Sequence, residues 1–502
     1  MKVLFYSINN MWVPHFETEL ELMADHLAQG DDVFVLTCAG TLKACTSNPE
    51  NNKTGCLKCV SRRTIGLQKV GVKTENNFTL KNTFTRQSGD TGVIPEFISS
   101  VAELKQYSWD GVLLGTCVAS TLISELRDHQ FDTLVHREKI QKNLFSSILI
   151  YESCLELVKK NKPDFIYIFN GRFADVYPAV AVARKLSITY FTHERGGNIG
   201  TYSLFKNNLP HTALVQIKQE IEDLWTSDNQ DDAMDKASIG AQWFTDRRLG
   251  VEQAWISFSA QQEKKRLPEG FDTTKKNIVI FNSSIDEYDT FAEWEEPIYG
   301  DEIVAVKRIL ESCIHDKDMR FYFRVHPCLK NINNTQMKKL RVFADQYKDR
   351  IQFIWPEETI DSYALLEHSE KAIVFASTVG VEACYWGKPS ILLGRAFYED
   401  VDCCYIPKTH EQVIDLIQQP LAPKNQEHAI KYGYWETTRG ITFKKFKPTG
   451  LFKGAFLDEE IKPKFGLKDR LLLKLYSRLD NFKLKTEKTL KNKLVKREVT
   501  RE

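Results

Sequence analysis

The chain predicts an α/β protein built from two doubly wound, Rossmann-like domains, and three observations carry that expectation. Its 502 residues exceed what one ordinary hydrophobic core fills. Short apolar, β-rich segments alternate with helical stretches in two consecutive series, the pattern of parallel sheets covered by helices. A polar stretch from Gln262 to Lys276 separates the two series like a linker. The expected layout is a first domain over 1–265 with a cysteine-rich insertion over 38–90 and a second domain over 276–420. A closing segment over 421–460, packing back on the body, and a basic tail over 461–502 complete it.

The first series opens with KVLFYSI as a strand. A helix over Glu17–Ala28 follows, with Leu20, Met23, Ala24 and Leu27 on one stripe and Gly30 ending it. DDVFVLT returns as a second strand, and strand–helix–strand of this length implies a parallel pair with a right-handed crossover. From Cys38 to about Asp90 the pattern gives way to Asn, Thr, Lys and Gly, which predicts an insertion outside the sheet. The rhythm resumes with DGVLLGT as a strand, a helix over about 138–160, the strand DFIYIFN, a helix over 176–185 and the strand ITYFTHE. Residues 230–236 read as a polar loop. In the second series the strands are KNIVIFNSS, RFYFRV, IQFIW, KAIVFA and SILLG, with helices near 302–314, 336–347 and from Gly380.

The composition, 42% hydrophobic and 27% charged, is that of a globular protein. No run approaches the roughly 20 apolar residues that span a bilayer, and the N-terminus lacks the small-residue cleavage site of a signal peptide. A cytoplasmic location, peripheral at the inner face of the plasma membrane, and reduced cysteines are therefore expected. The net charge of +1 conceals an asymmetry, because from residue 461 onward fourteen Lys/Arg face five Asp/Glu, +9 in all. In that tail Leu467, Leu471, Leu475, Leu479 and Phe482 recur at helical spacing among Lys468, Arg470, Lys474 and Arg478. This basic amphipathic helix suits an anionic membrane surface.

Chemistry concentrates where strands end. RFYFRV runs into His326-Pro327, and KAIVFA into Ser377-Thr378-Val379-Gly380-Val381-Glu382. Ser377, Thr378 and Gly380 occupy a strand-to-helix turn whose N–H groups and small residues make an anion site. The Glu382 carboxylate can accept from ribose hydroxyls, and His326, assisted by Arg324, can donate to a diphosphate.

ASTVGVEACYWGKPSILLG resembles the donor-site segment of bacterial capsule-polysaccharide glycosyltransferases. The pairing of RVHP with AST is similar to the HP and S/T motifs of bacterial sialyltransferases and Kdo transferases. The resemblance covers roughly residues 275–410, and the first domain in architecture only. It implies a GT-B fold, assigns His326, Ser377 and Thr378 to the donor phosphate and Glu382 to the ribose, and favours a CMP-sugar. Position 374, where retaining GT-B enzymes often carry a first Glu, is Val.

Three polar loops interrupt the first series: Val13-Pro14-His15-Phe16-Glu17, Asn170-Gly171-Arg172 and His193-Glu194-Arg195-Gly196-Gly197. They form the expected acceptor side. Glu194 is the first choice of general base and His15 the second, while Glu17, Asn170, Arg172 and Arg195 are candidate acceptor contacts. A salt bridge from Glu194 to Arg195 or Arg172 is the structural alternative.

Cys38, Cys45, Cys56 and Cys59, spaced C-x6-C-x10-C-x2-C, offer four soft ligands for structural zinc or, alternatively, an iron–sulfur cluster. Asp400-Val401-Asp402 formally matches a DxD metal motif but reads as a solvated loop, and no metal is required at the donor site. Absence of a GxGxxG or Walker loop argues against dinucleotide enzymes and NTPases.

The function expected is transfer of a sugar from a nucleotide-activated donor to a capsule, O-antigen or lipid-linked glycan. The enzymatic alternatives are a nucleotide-sugar 2-epimerase and a polyol-phosphate transferase. A zinc-dependent nucleic-acid-binding protein is the non-enzymatic one, and no nucleic-acid partner is expected, because the body carries an acidic balance.

Overall fold

In a computed structural model, residues 1–80, 94–227, 233–252 and 257–480 of the chain are described. β1 (Lys2–Tyr6), α1 (His15–Ala28) and β2 (Asp32–Thr37) form the expected unit, with the strands parallel and Leu4 opposite Phe34. The next segment departs from expectation. α2 (Lys53–Val70) is capped by the Asn52 side chain, which accepts from the Gly55 N–H, and closed by Gly71 at φ +83°. β3 (Asn77–Thr79) then pairs parallel with β2, so the cysteine-rich segment contributes to the sheet. Residues 81–90 of it lie outside the described residues. α2 has too few apolar residues to show a stripe, and its caps were the legible signal.

α3 (Val101–Lys105) comes next. The run DGVLLGT is no strand: Asp110 and Gly111, both at positive φ, turn the chain into α4 (Leu114–Leu126). Three consecutive apolar residues carry no period that separates a strand from the start of a buried helix. α5 (Arg137–Asn161), β4 (Phe165–Phe169), α6 (Tyr177–Lys185) and β5 (Thr189–Arg195) follow as expected. These strands stand in the order β3-β2-β1-β4-β5, all parallel.

Ahead of the second series stand β6 (Thr201–Lys206), a strand the sequence reading did not mark, α7 (Leu214–Thr226) and α8 (Ala233–Leu249). Of the expected polar loop over 230–236, residues 230–232 lie outside the described residues and the rest is helix. Lys236 is buried and donates to the carbonyls of Leu224, Trp225 and Ser227, closing the C-terminal end of α7. β7 (Lys276–Phe281), α9 (Glu302–Ser312), β8 (Met319–Arg324), α10 (Thr335–Gln346), β9 (Ile351–Ile354), α11 (Ser362–Glu367), β10 (Lys371–Val374), α12 (Val379–Tyr385) and β11 (Ser390–Leu392) complete a five-stranded parallel sheet. Its order is β11-β10-β7-β8-β9. Successive residues of its strands enter two different cores. Val279, Phe281, Tyr322 and Val374 join one, and Ile278, Ile280, Phe321, Phe323 and Ile373 the other. This is the signature of a sheet covered on both faces. α13 (His410–Gln418), α14 (Gln426–Thr438) and β12 (Ile441–Thr442), antiparallel to β6, end the series, and β13 (Phe446–Gly450) with β14 (Lys453–Phe456) makes a hairpin.

The chain groups into two compact units, and their boundary differs from the expected one at 265. Unit 1 holds residues 1–121, 133–194 and 443 onward; unit 2 holds 122–132 and 195–442. The expected linker over 262–276 is irregular backbone inside unit 2, and the expected closing segment over 421–460 is shared, α14 in unit 2 and the hairpin in unit 1. Helix packing moved the boundary. α8 lies so close to α14 that a Cβ on Gly240 would come within 2.3 Å of the Ile430 carbonyl.

In the tail, residues 467–480 are helical, and Leu467, Leu471, Leu475 and Leu479 are exposed. Phe482 lies outside the described residues. Asp480 accepts from the N–H of Thr54 at 3.2 Å and from its hydroxyl at 2.7 Å, which places a carboxylate at the start of α2. Among the described residues, no helix is long and apolar enough to cross a membrane.

The packing of β8 leads to a measurable expectation. Phe323 is buried on that strand, so Phe323→Ala should destabilise unit 2 by about 3–5 kcal/mol. Phe452→Ala, at an exposed position, should stay within about 0.5 kcal/mol of wild type. Urea denaturation followed by tryptophan fluorescence measures both, and equal midpoints would contradict this account of the core.

Candidate active site

In unit 2 the strand order reverses between β7 and β10, the switch point where open α/β sheets bind ligands beyond their carboxyl ends. The segments leaving β7, β8 and β10 deliver Asn282-Ser283-Ser284, His326 and Ala376-Ser377-Thr378 to that edge, and all of them line one cavity of about 420 Å³. This volume lies within the range of small-molecule sites. Ala376 sits at φ +51°, a conformation that costs a non-glycine residue energy and turns the chain sharply out of β10.

His326 is held at both its backbone and its ring. Its N–H donates to Asn282 Oδ1 at 2.8 Å, and its Nδ1 accepts from the Cys328 N–H at 3.3 Å. That donor fixes the ring proton on Nε2, leaving an N–H to offer a ligand. Burial, then Arg324, Arg127 and Arg247, push the imidazole pKa down to about 4, so the ring is a neutral donor at physiological pH.

Glu382, on α12, is buried beneath the same cavity and joins three partners. Its Oε1 accepts from Arg247 at 3.1 Å and from the Thr378 hydroxyl at 2.8 Å, and its Oε2 accepts from Tyr363. Arg247 also donates to Thr378 Oγ1 at 2.8 Å and packs over the Trp243 ring. Burial opposes its charge, but Glu382 more than compensates and holds the guanidinium firmly protonated. α12 has only seven residues, so its dipole is small and the fixed cation of Arg247 is the stronger field. Arg439 and Glu436, paired at 3.4 Å, line the cavity too.

Two glycines are required here. A Cβ on Gly380 would lie 2.4 Å from the Tyr398 hydroxyl, and one on Gly197 would lie 2.2 Å from the Glu436 carbonyl. Gly197 also donates its N–H to the Arg439 carbonyl at 2.9 Å, which accounts for the second glycine of HERGG. Arg324, expected to assist at the phosphate, lines the same cavity and is buried, with its terminal nitrogens on the carbonyls of Trp355 and Glu358. It braces the β9–α11 connection, and burial lowers its pKa to about 10.

In unit 1 the loops after β1 and β4 and the end of β5 bring together His15, Asn170 and Glu194. His15 Nε2 lies 3.4 Å from Glu194 Oε1, and Asn170 donates to Glu194 Oε2 at 2.8 Å. Glu194 thus has a histidine and an amide among its partners. Below them His193, fully buried, meets Glu19 at 3.4 Å. Arg172 is half-buried with its guanidinium over the Phe173 ring. Arg195 ends β5, and its carbonyl accepts from Arg439.

Glu17 does not fit the acceptor role expected of it. It is buried and spent on Arg62, which also donates to the carbonyls of Asn10 and Ile461. Burial raises its pKa, although Arg62 opposes that. Asp400 and Asp402 pair with Lys218 and Lys424 as a solvated loop would. Sequence reading missed Arg247, Tyr363 and Arg439, which no local motif marks. The Asn-Ser-Ser that ends β7 was legible as polar residues after an apolar strand. Among the described residues, no group of three or more His, Cys, Asp or Glu side chains could hold a metal ion.

Residues 273–401, which include most of this cavity, match the family model described as capsule polysaccharide biosynthesis protein. No curated protein matches the chain. Among solved structures, the β-Kdo 2,4-transferase of KpsC from Thermosulfurimonas dismutans is similar at 14% identity and a TM-score of 0.32, over 54% of this chain and 79% of that one. The β-Kdo 2,7-transferase of the same KpsC is similar at 13% identity and a TM-score of 0.34, over 57% and 80%. The UDP-GlcNAc 2-epimerase of Methanocaldococcus jannaschii, solved with UDP-GlcNAc and UDP, is similar at 13% identity and a TM-score of 0.28, over 86% and 98%.

The His326 environment has a pH signature. Its folded pKa of about 4 lies below the ordinary value of 6.5, so between those values the unfolded chain binds a proton that the folded one does not. Its contribution to stability is complete above pH 6.5 and is lost as pH falls toward 4. His326→Gln should therefore flatten the stability-versus-pH curve in that window alone. Denaturation midpoints measured from pH 4 to 8 test this, and an unchanged acid-side slope would count against the buried neutral ring.

Proposed function

We propose that this chain is a two-domain, GT-B-type glycosyltransferase of capsule or related surface-polysaccharide synthesis. It moves a sugar from a nucleotide-activated donor, with a CMP-sugar favoured, to a glycan or lipid-linked acceptor. The observation that carries this is the cavity at the ends of β7, β8 and β10, which lies largely in the segment matching the capsule family model and is lined with donors suited to phosphate. The similarity of RVHP and AST to CMP-sugar transferases favours CMP.

In this reading the sugar–phosphate bond breaks as the acceptor oxygen bonds to the anomeric carbon. His326 Nε2–H and the Ser377 hydroxyl donate to the departing phosphate, Thr378, whose hydroxyl donates to Glu382, holds the turn beside them, and Arg247 supplies fixed positive charge, so no donor-site metal is needed. A neutral imidazole that donates a hydrogen bond stabilises charge as it develops without itself having to lose a proton. A carboxylate has about four acceptor positions. Three of those on Glu382 are occupied, which leaves one on Oε2 for a ribose hydroxyl. Glu194 takes the acceptor's proton: its side chain is 26% exposed, and Asn170 and His15 orient it. His15 remains the second candidate base.

The tail fits a peripheral, cytoplasmic-face location, because four exposed leucines on one helical stripe are interleaved with basic residues.

Thermal-shift screening against CMP-, CDP-, UDP- and GDP-linked ligands should single out one nucleotide class. His326→Ala should lower turnover by a factor of about 10² to 10³ with a smaller change in donor affinity, whereas Glu382→Ala should chiefly weaken nucleotide binding. Folded variants with wild-type affinity and turnover, or release of a free epimerised sugar without any acceptor, would refute the assignment.

For the tail, replacing Leu471 and Leu475 with Glu should abolish sedimentation with vesicles containing anionic lipid while leaving the circular dichroism unchanged. Each Lys/Arg near such a surface contributes about 1 kcal/mol, so wild-type binding should weaken as salt rises. Equal vesicle binding by the double variant would exclude the leucine stripe as the contact.

A further inference from the structure

One of the eleven cysteines, Cys328, stands beside the imidazole of His326. Its Sγ lies 2.8 Å from His326 Nδ1, and the same sulfur accepts from the Arg127 guanidinium at 3.5 Å. We propose that Cys328 is a positioning residue for His326: its thiol, polarised by Arg127, donates to Nδ1 and so keeps the ring proton on Nε2, facing the ligand. The inference rests on the proposed function, in which that Nε2–H donates to the departing phosphate.

The direction of the sulfur contact follows from its neighbours. Nδ1 already accepts from the Cys328 N–H at 3.3 Å, so that nitrogen carries no proton and the thiol is the donor. Burial, the largest influence on it, pushes the Cys328 thiol up to about 11, so the donor keeps its proton at physiological pH. A thiol alone is a weak donor. A cation on its sulfur draws electron density from the S–H bond and strengthens it, as groups in a hydrogen-bonded chain polarise one another.

Arg127 is held at this place by its backbone and its side chain. α4 closes with the Asp128 N–H returning to the Ile123 carbonyl at 3.2 Å, which puts Arg127 in the left-handed region at φ +55°. Glycine is the usual residue there, and a side chain at such a φ costs energy. Here the side chain is engaged. Its Nε lies 2.5 Å from buried Asp286, and a terminal nitrogen donates to Ser284 Oγ at 3.1 Å. The Ser284 hydroxyl donates to Asp286 in turn, and Asn334, which caps α10, donates to the Arg127 carbonyl.

Asp286, Arg127, Cys328 and His326 thus form one chain that ends at Nε2–H. A carboxylate accepting from Nδ1–H would make the imidazole a stronger base, as in a catalytic triad. A donor at Nδ1 does the opposite. It withdraws electron density from the ring and makes Nε2–H a better donor to charge developing on the leaving phosphate.

Nitrogen NMR of the full chain carrying isotopically labelled histidine tests this, with the His326 signals assigned by their loss in His326→Gln. Nδ1 should resonate as an unprotonated nitrogen. Cys328→Ala should move it downfield, because accepting a hydrogen bond shifts such a nitrogen upfield. Cys328→Ser, which keeps a hydroxyl donor, should leave it near the wild-type position. The paired variant Arg127→Gln with Asp286→Asn removes both charges and strands neither, and it should move the resonance downfield by less. In turnover, Cys328→Ala should lower kcat about tenfold with donor KM within about twofold of wild type, and serine should restore most of the loss. A proton found on Nδ1, or a resonance indifferent to Cys328→Ala or to the paired variant, overturns the inference, as does a serine variant as slow as the alanine one. The spectra contain neither donor nor acceptor, so an error in the proposed function shows separately, as unchanged turnover in His326→Ala.

Discussion

Arg247 and Glu382 stand 135 residues apart in sequence and meet as an ion pair at the cavity of unit 2, the carboxylate buried and the guanidinium 38% exposed. The buried carboxylate would not be tolerable there alone, since an unpaired buried charge costs several kcal/mol. Together, with Thr378 and Tyr363 completing the carboxylate's shell, they tie α8 to α12 and set the position of the turn out of β10. That turn carries Ser377 and Thr378, and its strained Ala376 persists because the surrounding bonds hold it. The pair thus fixes the shape of the site and leaves it with a permanent cation for an anionic ligand.

His326 depends on the same field. Three arginines and burial keep its ring neutral, and the Cys328 N–H selects the tautomer. A neutral donor whose bond strengthens with developing charge contributes selectively to the transition state. In unit 1, Asn170 donates to Glu194 and His15 lies beside it, contacts that orient the carboxylate.

The two parallel sheets share one strand order, β3-β2-β1-β4-β5 and its counterpart β9-β8-β7-β10-β11. In each, the chemically distinctive residues follow the strands flanking the switch point. His15 follows β1 and Asn170 follows β4; Asn282 follows β7 and Ser377 follows β10. The protein therefore uses one geometric solution twice, on different residues, for what are proposed to be two halves of one reaction.

Both series, nearly all of their strands and the loops bearing His326, Ser377, Thr378, Glu382, His15, Asn170 and Glu194 were legible in the sequence. A strand or helix betrays itself by local periodicity, and a polar break at a strand's end needs only neighbouring residues to be seen. The tertiary structure alone decided what depends on distant partners. It recruited Arg247 and Arg439 to the cavity and spent Glu17 on Arg62 and Arg324 on backbone carbonyls. It made a helix and an edge strand of the cysteine-rich segment, and it set the boundary between units at residue 194 rather than 265. Long-range packing and charge pairing leave no period in the chain, so these outcomes become visible only when residues more than a hundred positions apart are brought into contact.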